Sequence, residues 1–150
     1  MKIFVTRKIP SRGIETLSAK GHIVAVNPED RVLAKSELIA FLKDDRYDAV
    51  LCLLTDKIDA EVLDAAGPQC KVFANYAVGF DNIDMKAAGE RNIMVTNTPD
   101  VLTQSVAEHT FALILALSRN IHKAYVKTIK GDFSLEGLQG FDLKGKTLGV

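Results

Sequence analysis

Strand-length apolar runs alternate with segments of helical periodicity five times between Lys2 and Thr96. That alternation restricts the fold more than any other feature of the chain. Lys2–Arg7 (KIFVTR) reads as a strand, and Pro10–Ala19 as a helix with Ile14 and Leu17 on one face. Gly21 stands just past that helix, where a left-handed cap is easy. His22–Val26 and Lys35–Lys43 form the second pair, the helix carrying Leu38, Ile39 and Leu42. Ala49–Leu54 (AVLCLL) is apolar without a break, as suits a parallel strand covered on both faces. Asp59 precedes Ala60–Ala66 in the position of an N-cap. Val72–Ala74, Met85–Arg91 and Met94–Thr96 complete the series. Repeated β-then-α units with right-handed crossovers predict an α/β protein, a flavodoxin-like doubly wound parallel sheet.

The pattern changes after Asn97-Thr98-Pro99. Leu102–Arg119 (LTQSVAEHTFALILALSR) reads as a long helix, apolar over much of its surface, with Ala107, Phe111, Ile114, Leu115 and Ser118 at helical spacing. A helix of this kind is buried centrally or packs on a second subunit. Ile121–Lys130 is a more polar helix ending at Gly131, followed by a loop rich in glycine and polar residues. Thr147–Val150 then opens like a buried strand. A strand starting there has no crossover and no partner in the sequence, so the expectation is a fragment cut at the first strand of a second α/β domain.

Composition closes several alternatives. Nineteen Lys and Arg balance nineteen Asp and Glu, which argues against a nucleic acid or an anionic membrane surface as main partner. The most apolar stretch, Phe111–Leu117, is too short to cross a bilayer. The N-terminus lacks a small-residue cleavage site. A cytoplasmic protein is the expectation. Cys52 and Cys70 sit in or beside apolar runs without metal-ligand spacing and read as buried free thiols.

Three loops hold the residues able to do chemistry. Asn75–Asp84 (NYAVGFDNID) joins a strand to a helix. Gly79 permits dihedrals that other residues resist, and such a loop exposes consecutive backbone N–H groups to a small anion. The same residues also fit a plain turn, with Asp84 capping the next helix and Asp81 or Asn82 bonding local backbone. Leu53-Leu54-Thr55-Asp56-Lys57 follows the third strand at the same sheet end; its leucines either wall a small pocket or finish the core. In Thr98–Ser105, the hydroxyls of Thr103 and Ser105 lie near a helix start. There they cap backbone N–H groups or reach a phosphate or ribose. His22, His109 and His122 lie outside these loops. The sequence has no HExxH, CxxC, GxxxxGKS or GxGxxG.

The segments LLTDKID (Leu53–Asp59), VGFDNID (Val78–Asp84), VTNTPDVLTQSVAEHTFALILALSR (Val95–Arg119) and LKGKTLGV (Leu143–Val150) resemble the D-isomer-specific 2-hydroxyacid dehydrogenase family, most of all its glyoxylate/hydroxypyruvate reductases. The resemblance runs the length of the chain and implies two domains. Residues 1–97 would be the substrate-binding domain, and residues 98–150 the beginning of a Rossmann nucleotide-binding domain, ending just before GxGxxG. It implies that Val78 and Gly79 offer N–H groups to the substrate carboxylate, that Leu53 borders the substrate, and that Thr103 approaches the nicotinamide of NADPH or NADH. The family's catalytic Arg, Glu and His would lie beyond Val150; no metal is implied. Leu102–Arg119 would form a homodimer core, and Asn97–Asp100 a hinge. The implied reaction is reduction of a small 2-oxo acid, glyoxylate or hydroxypyruvate, to the D-2-hydroxy acid. A phosphoglycerate-type enzyme fits less well, because the 53–57 loop has no arginine to meet a phosphate, although it carries Lys57. If 150 residues are the whole protein, the alternative is a non-catalytic α/β module that binds a carboxylate or dimerises.

Overall fold

The computed structural model describes residues 1–149 and contains two compact units, Met1–Val101 and Leu102–Val150. In the first, five parallel strands form one sheet: β1 (Lys2–Val5), β2 (Ile23–Val26), β3 (Ala49–Cys52), β4 (Val72–Asn75) and β5 (Met94–Thr96). Their spatial order is β2-β1-β3-β4-β5. The chain therefore moves outward from β1 to β2, then returns past β1 and builds in the opposite direction. That reversal lies between β1 and β3, and in open α/β sheets ligands bind beyond the carboxyl ends of strands at such a point. The expected flavodoxin-like doubly wound sheet is the one observed.

Helices α1 (Ser11–Ala19), α2 (Lys35–Asp44), α3 (Ala60–Ala66) and α4 (Met85–Glu90) connect the strands. The core is built from Phe4, Val50, Cys52 and Phe73 of the sheet against Leu38 and Leu42 of α2, Val62, Leu63 and Ala66 of α3, and Ala87 and Ala88 of α4. Phe4 also meets Phe41 and Tyr47, ring centroids 5.4 Å and 5.1 Å away. Burial of such side chains is the main favourable term holding the sheet to its helices. Two caps appear as the sequence predicts. Asp59 accepts the Val62 N–H at 3.3 Å and Asp84 accepts the Ala87 N–H at 2.9 Å. Gly21 takes a left-handed conformation, φ 80°.

Three sequence expectations need correction. β3 stops at Cys52, so Leu53 and Leu54 belong to the following loop. Asp56 accepts the Leu53 N–H at 2.8 Å and its own N–H donates to the Leu53 carbonyl at 3.0 Å, which turns the chain out of the sheet. Gly79 is not among the glycines with positive φ, so its backbone does not call for glycine. Thr147, Leu148 and Gly149 form no strand and are exposed, and Val150 lies outside the described residues. A lone strand has nothing to pair with, and unpaired strands are not stable in water.

The second unit holds α5 (Thr103–Ser118) and α6 (Ile121–Ile129), separated by Asn120 in a left-handed conformation. The following loop returns to the end of α5. Phe141 donates its N–H to the Ser118 carbonyl at 2.9 Å, and Asn120 Nδ2 donates to the Gln139 carbonyl at 2.8 Å. Gly140 packs so closely on the Ser118 carbonyl that a Cβ there would overlap it. Val106, Phe111, Leu113, Leu115 and Leu117 of α5 are exposed, and Ser118 is its one buried residue. No helix among the described residues is long and apolar enough to cross a membrane.

Candidate functional site

Polar side chains that fold inward are concentrated at one place. Thr6, Asn27, Asp56 and Asn75 are exposed by only 1%, 1%, 4% and 2%, and each lies at or just after the carboxyl end of a strand. Buried polar groups are tolerated only when hydrogen-bonded; Thr6, Asn27 and Asp56 bond to one another, and Asn75 bonds to Gly79 and Asn82. Thr6 Oγ1 donates to Asp56 Oδ2 at 2.5 Å, and Asn27 Nδ2 donates to the Thr6 carbonyl at 3.0 Å. The Asp56 carboxylate thus accepts from Thr6 and from the Leu53 N–H.

The same edge carries the two loops singled out in the sequence, and Asn82 joins them. Its Nδ2 donates to the Leu53 carbonyl at 3.1 Å and to the Asp56 carbonyl at 3.0 Å. Its Oδ1 accepts from Asn75 Nδ2 at 3.0 Å, and Asn75 Oδ1 accepts from Asn82 Nδ2 at 3.3 Å. Nearby, Ile58 and Ile83 form a parallel bridge: the Ile58 N–H donates to the Asn82 carbonyl at 2.8 Å and the Asp84 N–H to the Ile58 carbonyl at 2.9 Å. Asn82 therefore makes long-range bonds instead of the local turn bond that its sequence neighbourhood suggests.

Within the glycine loop, three successive carbonyls are tied back. The Ala77 carbonyl accepts the Thr98 N–H at 2.9 Å. The Val78 carbonyl accepts Asn97 Nδ2 at 2.8 Å, and the Gly79 carbonyl accepts Asn75 Nδ2 at 2.8 Å. Every peptide bond among the described residues is trans, and in a trans peptide the N–H points opposite to the C=O of the same unit. Fixing the Ala77 and Val78 carbonyls therefore fixes the Val78 and Gly79 N–H directions. Neither N–H donates to a backbone carbonyl among the described residues. Val78 is exposed and Gly79 half-buried. Two adjacent, oriented N–H groups at a sheet edge can hold a small anion.

Gly79 supports the same chemistry from a different direction. A Cβ built there would meet only Asp81 Oδ2 at 3.9 Å and Leu54 Cδ1 at 4.0 Å, ordinary contact distances. With no positive φ and no steric demand from the chain, the missing side chain leaves the loop's outer side open. Leu53 is half-buried and Leu54 exposed in the facing loop. Thr103 is the first residue of α5 and is exposed; no side chain caps this helix, so the capping alternative for Thr103 and Ser105 is not observed. His109 and His122 are exposed on α5 and α6, and His22 precedes β2. Cys52 lies beneath the network, 3.4 Å from Asn75 Oδ1, and burial pushes its thiol up to about 12. No group of three His, Cys, Asp or Glu among the described residues is arranged to hold a metal.

Fold and loops together define an α/β protein with two adjacent N–H groups, free of backbone acceptors among the described residues, at the carboxyl edge of its sheet. The chain belongs to the D-isomer specific 2-hydroxyacid dehydrogenase family, whose catalytic domain matches residues 3–137. It is 43% identical to the glyoxylate reductase of Thermococcus kodakarensis over 99% of its own length and 46% of that protein's. Among solved structures, a protein of Thermus thermophilus superposes with a TM-score of 0.83 at 37% identity, covering 95% of this chain and 46% of that one. The D-lactate dehydrogenase of Aquifex aeolicus, solved with NAD and lactic acid, gives 0.70 at 25% identity over 95% of this chain and 41% of that one. The chain thus spans about half the length of the curated relatives it matches.

Proposed function

We propose that this chain supplies the substrate-carboxylate side of an NAD(P)-dependent 2-hydroxyacid dehydrogenase that reduces glyoxylate, with hydroxypyruvate as a second substrate, to the D-2-hydroxy acid. The observation that carries the reading is the pair of oriented N–H groups at Val78 and Gly79. A 2-oxo acid presents a carboxylate next to its reacting carbonyl. Seating the carboxylate on the two N–H groups fixes where that carbonyl lies, and Leu53 in the facing loop limits the space for the rest of the molecule. Relatives named glyoxylate reductases support the choice of the smallest 2-oxo acid.

On this reading residues 1–97 form the substrate-binding domain and residues 98–150 begin the nucleotide-binding domain. The reduced nicotinamide, when bound, supplies hydride to the carbonyl carbon of the substrate. Of the contacts such a cofactor needs, this chain offers the uncapped first turn of α5, where the exposed Thr103 hydroxyl is available. The chain's own part is to bind, orient and exclude water. Asp81 places a carboxylate near the anion loop, so a cation has to balance the substrate's charge, on this reading the family's arginine. The exposed apolar face of α5 fits a homodimer core.

The test uses the full-length gene product with glyoxylate and either NADPH or NADH, following nicotinamide absorbance. Steady oxidation is expected, with a Gly79→Ala variant showing a raised KM for glyoxylate, because its new Cβ occupies the open side of the loop. No oxidation of either cofactor with glyoxylate or hydroxypyruvate would overturn the reading.

A further inference from the structure

Among the described residues Asn97 has a single side-chain hydrogen bond, and it lands on the loop at the centre of the site. Its Nδ2 donates to the Val78 carbonyl at 2.8 Å across nineteen positions of sequence. Asn97 is exposed and follows β5 directly. We propose that Asn97 is a positioning residue for the substrate carboxylate: its side-chain amide sets the plane of the Val78–Gly79 peptide and so aims the Gly79 N–H. The inference rests on the proposed carboxylate role of Val78 and Gly79.

The geometry leaves little else to do that job. The Val78–Gly79 peptide has two polar ends. Its N–H is unpaired with backbone, and its C=O is held by Asn97. Neighbouring units are fixed by other partners, Ala77 through the Thr98 N–H and Gly79 through Asn75. Removing the Asn97 amide leaves both flanking ties in place, so the loop stays on the sheet while the central peptide is free to rotate. An oriented donor is worth more to a ligand than a mobile one, because binding does not have to order it. Asn97 and Thr98 also begin the segment that leaves the sheet towards Asp100, a non-glycine residue at φ 63°. The carboxylate cradle is thereby tied to the stretch connecting the two compact units.

The test compares three variants of the full-length gene product: Asn97→Ala, Asn97→Asp and Gly79→Ala. Asn97→Asp keeps the shape but replaces the donor with a carboxylate that opposes the Val78 carbonyl. The expected result is a KM for glyoxylate raised about tenfold in both Asn97 variants, because the Gly79 N–H is no longer aimed and its bond to the substrate carboxylate is lost. KM for the nicotinamide and the melting temperature should stay near wild type, which a merely structural role would not produce. If Gly79→Ala raises KM and the Asn97 variants do not, the positioning role is wrong and the carboxylate reading stands. If none of the three changes KM, both fall. Equal losses in KM for substrate and cofactor, or a melting temperature lowered in parallel, would also overturn the positioning role.

Discussion

Replacing Asn82 with alanine tests whether the junction between the 53–57 and 75–84 loops has the energetic weight that its bonding implies. The side chain donates to the Leu53 and Asp56 carbonyls at 3.1 Å and 3.0 Å and accepts from Asn75 at 3.0 Å. A net intramolecular hydrogen bond contributes about 1 kcal/mol, and a buried partner left unpaired adds to the loss. A fourth contact, Nδ2 to Asn75 Oδ1 at 3.3 Å, shares one of the two Nδ2 hydrogens, so the four count as about three bonds and about 3 kcal/mol, and Asn75, only 2% exposed, is the partner that water reaches least. Asn82 itself is half-buried, so water replaces part of what is removed, and the expected loss is about 2 kcal/mol. For a unit the size of Met1–Val101, that corresponds to a melting temperature lower by about 8–16 °C. Urea unfolding of the full-length gene product, followed by far-ultraviolet circular dichroism, measures it. Asn82→Asp should do no better than alanine at neutral pH, since its carboxylate would face the Leu53 and Asp56 carbonyls with no proton to donate. A loss under about 0.5 kcal/mol for alanine, the range of an ordinary surface substitution, would show that the loops are held by the Ile58–Ile83 bridge alone and refute the argument.

Thr6→Val keeps the volume of a buried residue but removes a donor from the Asp56 carboxylate; a loss of about 1.5–3 kcal/mol is expected in the same urea assay. Arg31 and then the Ala34 N–H hold the Glu37 carboxyl down to about 2 from an ordinary 4.5. A depressed folded-state value gives stability that is present above the unfolded value and lost as pH falls towards 2, so Glu37→Gln should flatten the decline of the urea midpoint across that window. Cys52 and Cys70 are buried, with both thiols pushed up mainly by burial. An aromatic disulfide reagent at mildly alkaline pH should label neither in the folded protein and both in denaturant. Gly140→Ala should lower the melting temperature by forcing the 139–142 loop off the Ser118 carbonyl.

The parts of the fold legible in the sequence are those set by neighbours in the chain. Hydrophobic period separates β1–β5 from α1–α4, and Asp59 and Asp84 announce their helices because a cap acts within three residues. The end of β3 was hidden because Leu53 and Leu54 extend the apolar run, while the residue that stops the strand, Asp56, acts through its side chain. Gly79 misled in a different way. Glycine in a strand-to-helix loop is usually read as a backbone requirement, but here neither φ nor packing demands it. The sequence offers Asn82 only a local turn bond and Asn97 only a place in the hinge, because their partners are 29 and 19 residues away, beyond the reach of any local period. One signal was available. Thr6, Asn27, Asn75 and Asn97 each end or closely follow an apolar strand run, and in a parallel sheet all those positions converge on one edge.

That convergence explains how a loop lacking regular structure can present two N–H groups in fixed directions. A backbone amide is a weak anion ligand unless it is aimed beforehand, since reorienting a peptide on binding costs the freedom that binding would remove. Here the aim comes from the carbonyl side. Thr98, Asn97 and Asn75 each take one carbonyl of the 77–79 stretch, and they belong to β4 and to the segment after β5. Asn82 then ties Asn75 to the loop after β3, and Asp56 ties that loop to Thr6 after β1. The donors thus inherit the rigidity of four neighbouring parallel strands without any of them being a strand residue. If Val78 and Gly79 hold the substrate carboxylate as proposed, substitutions along this network should act on carboxylate affinity in proportion to their closeness to the Val78–Gly79 peptide, and on stability in proportion to their burial. Asn97 lies at one end of that series and Thr6 at the other. Measured together, the two should separate cleanly: a KM effect with little change in melting for Asn97, and the reverse for Thr6.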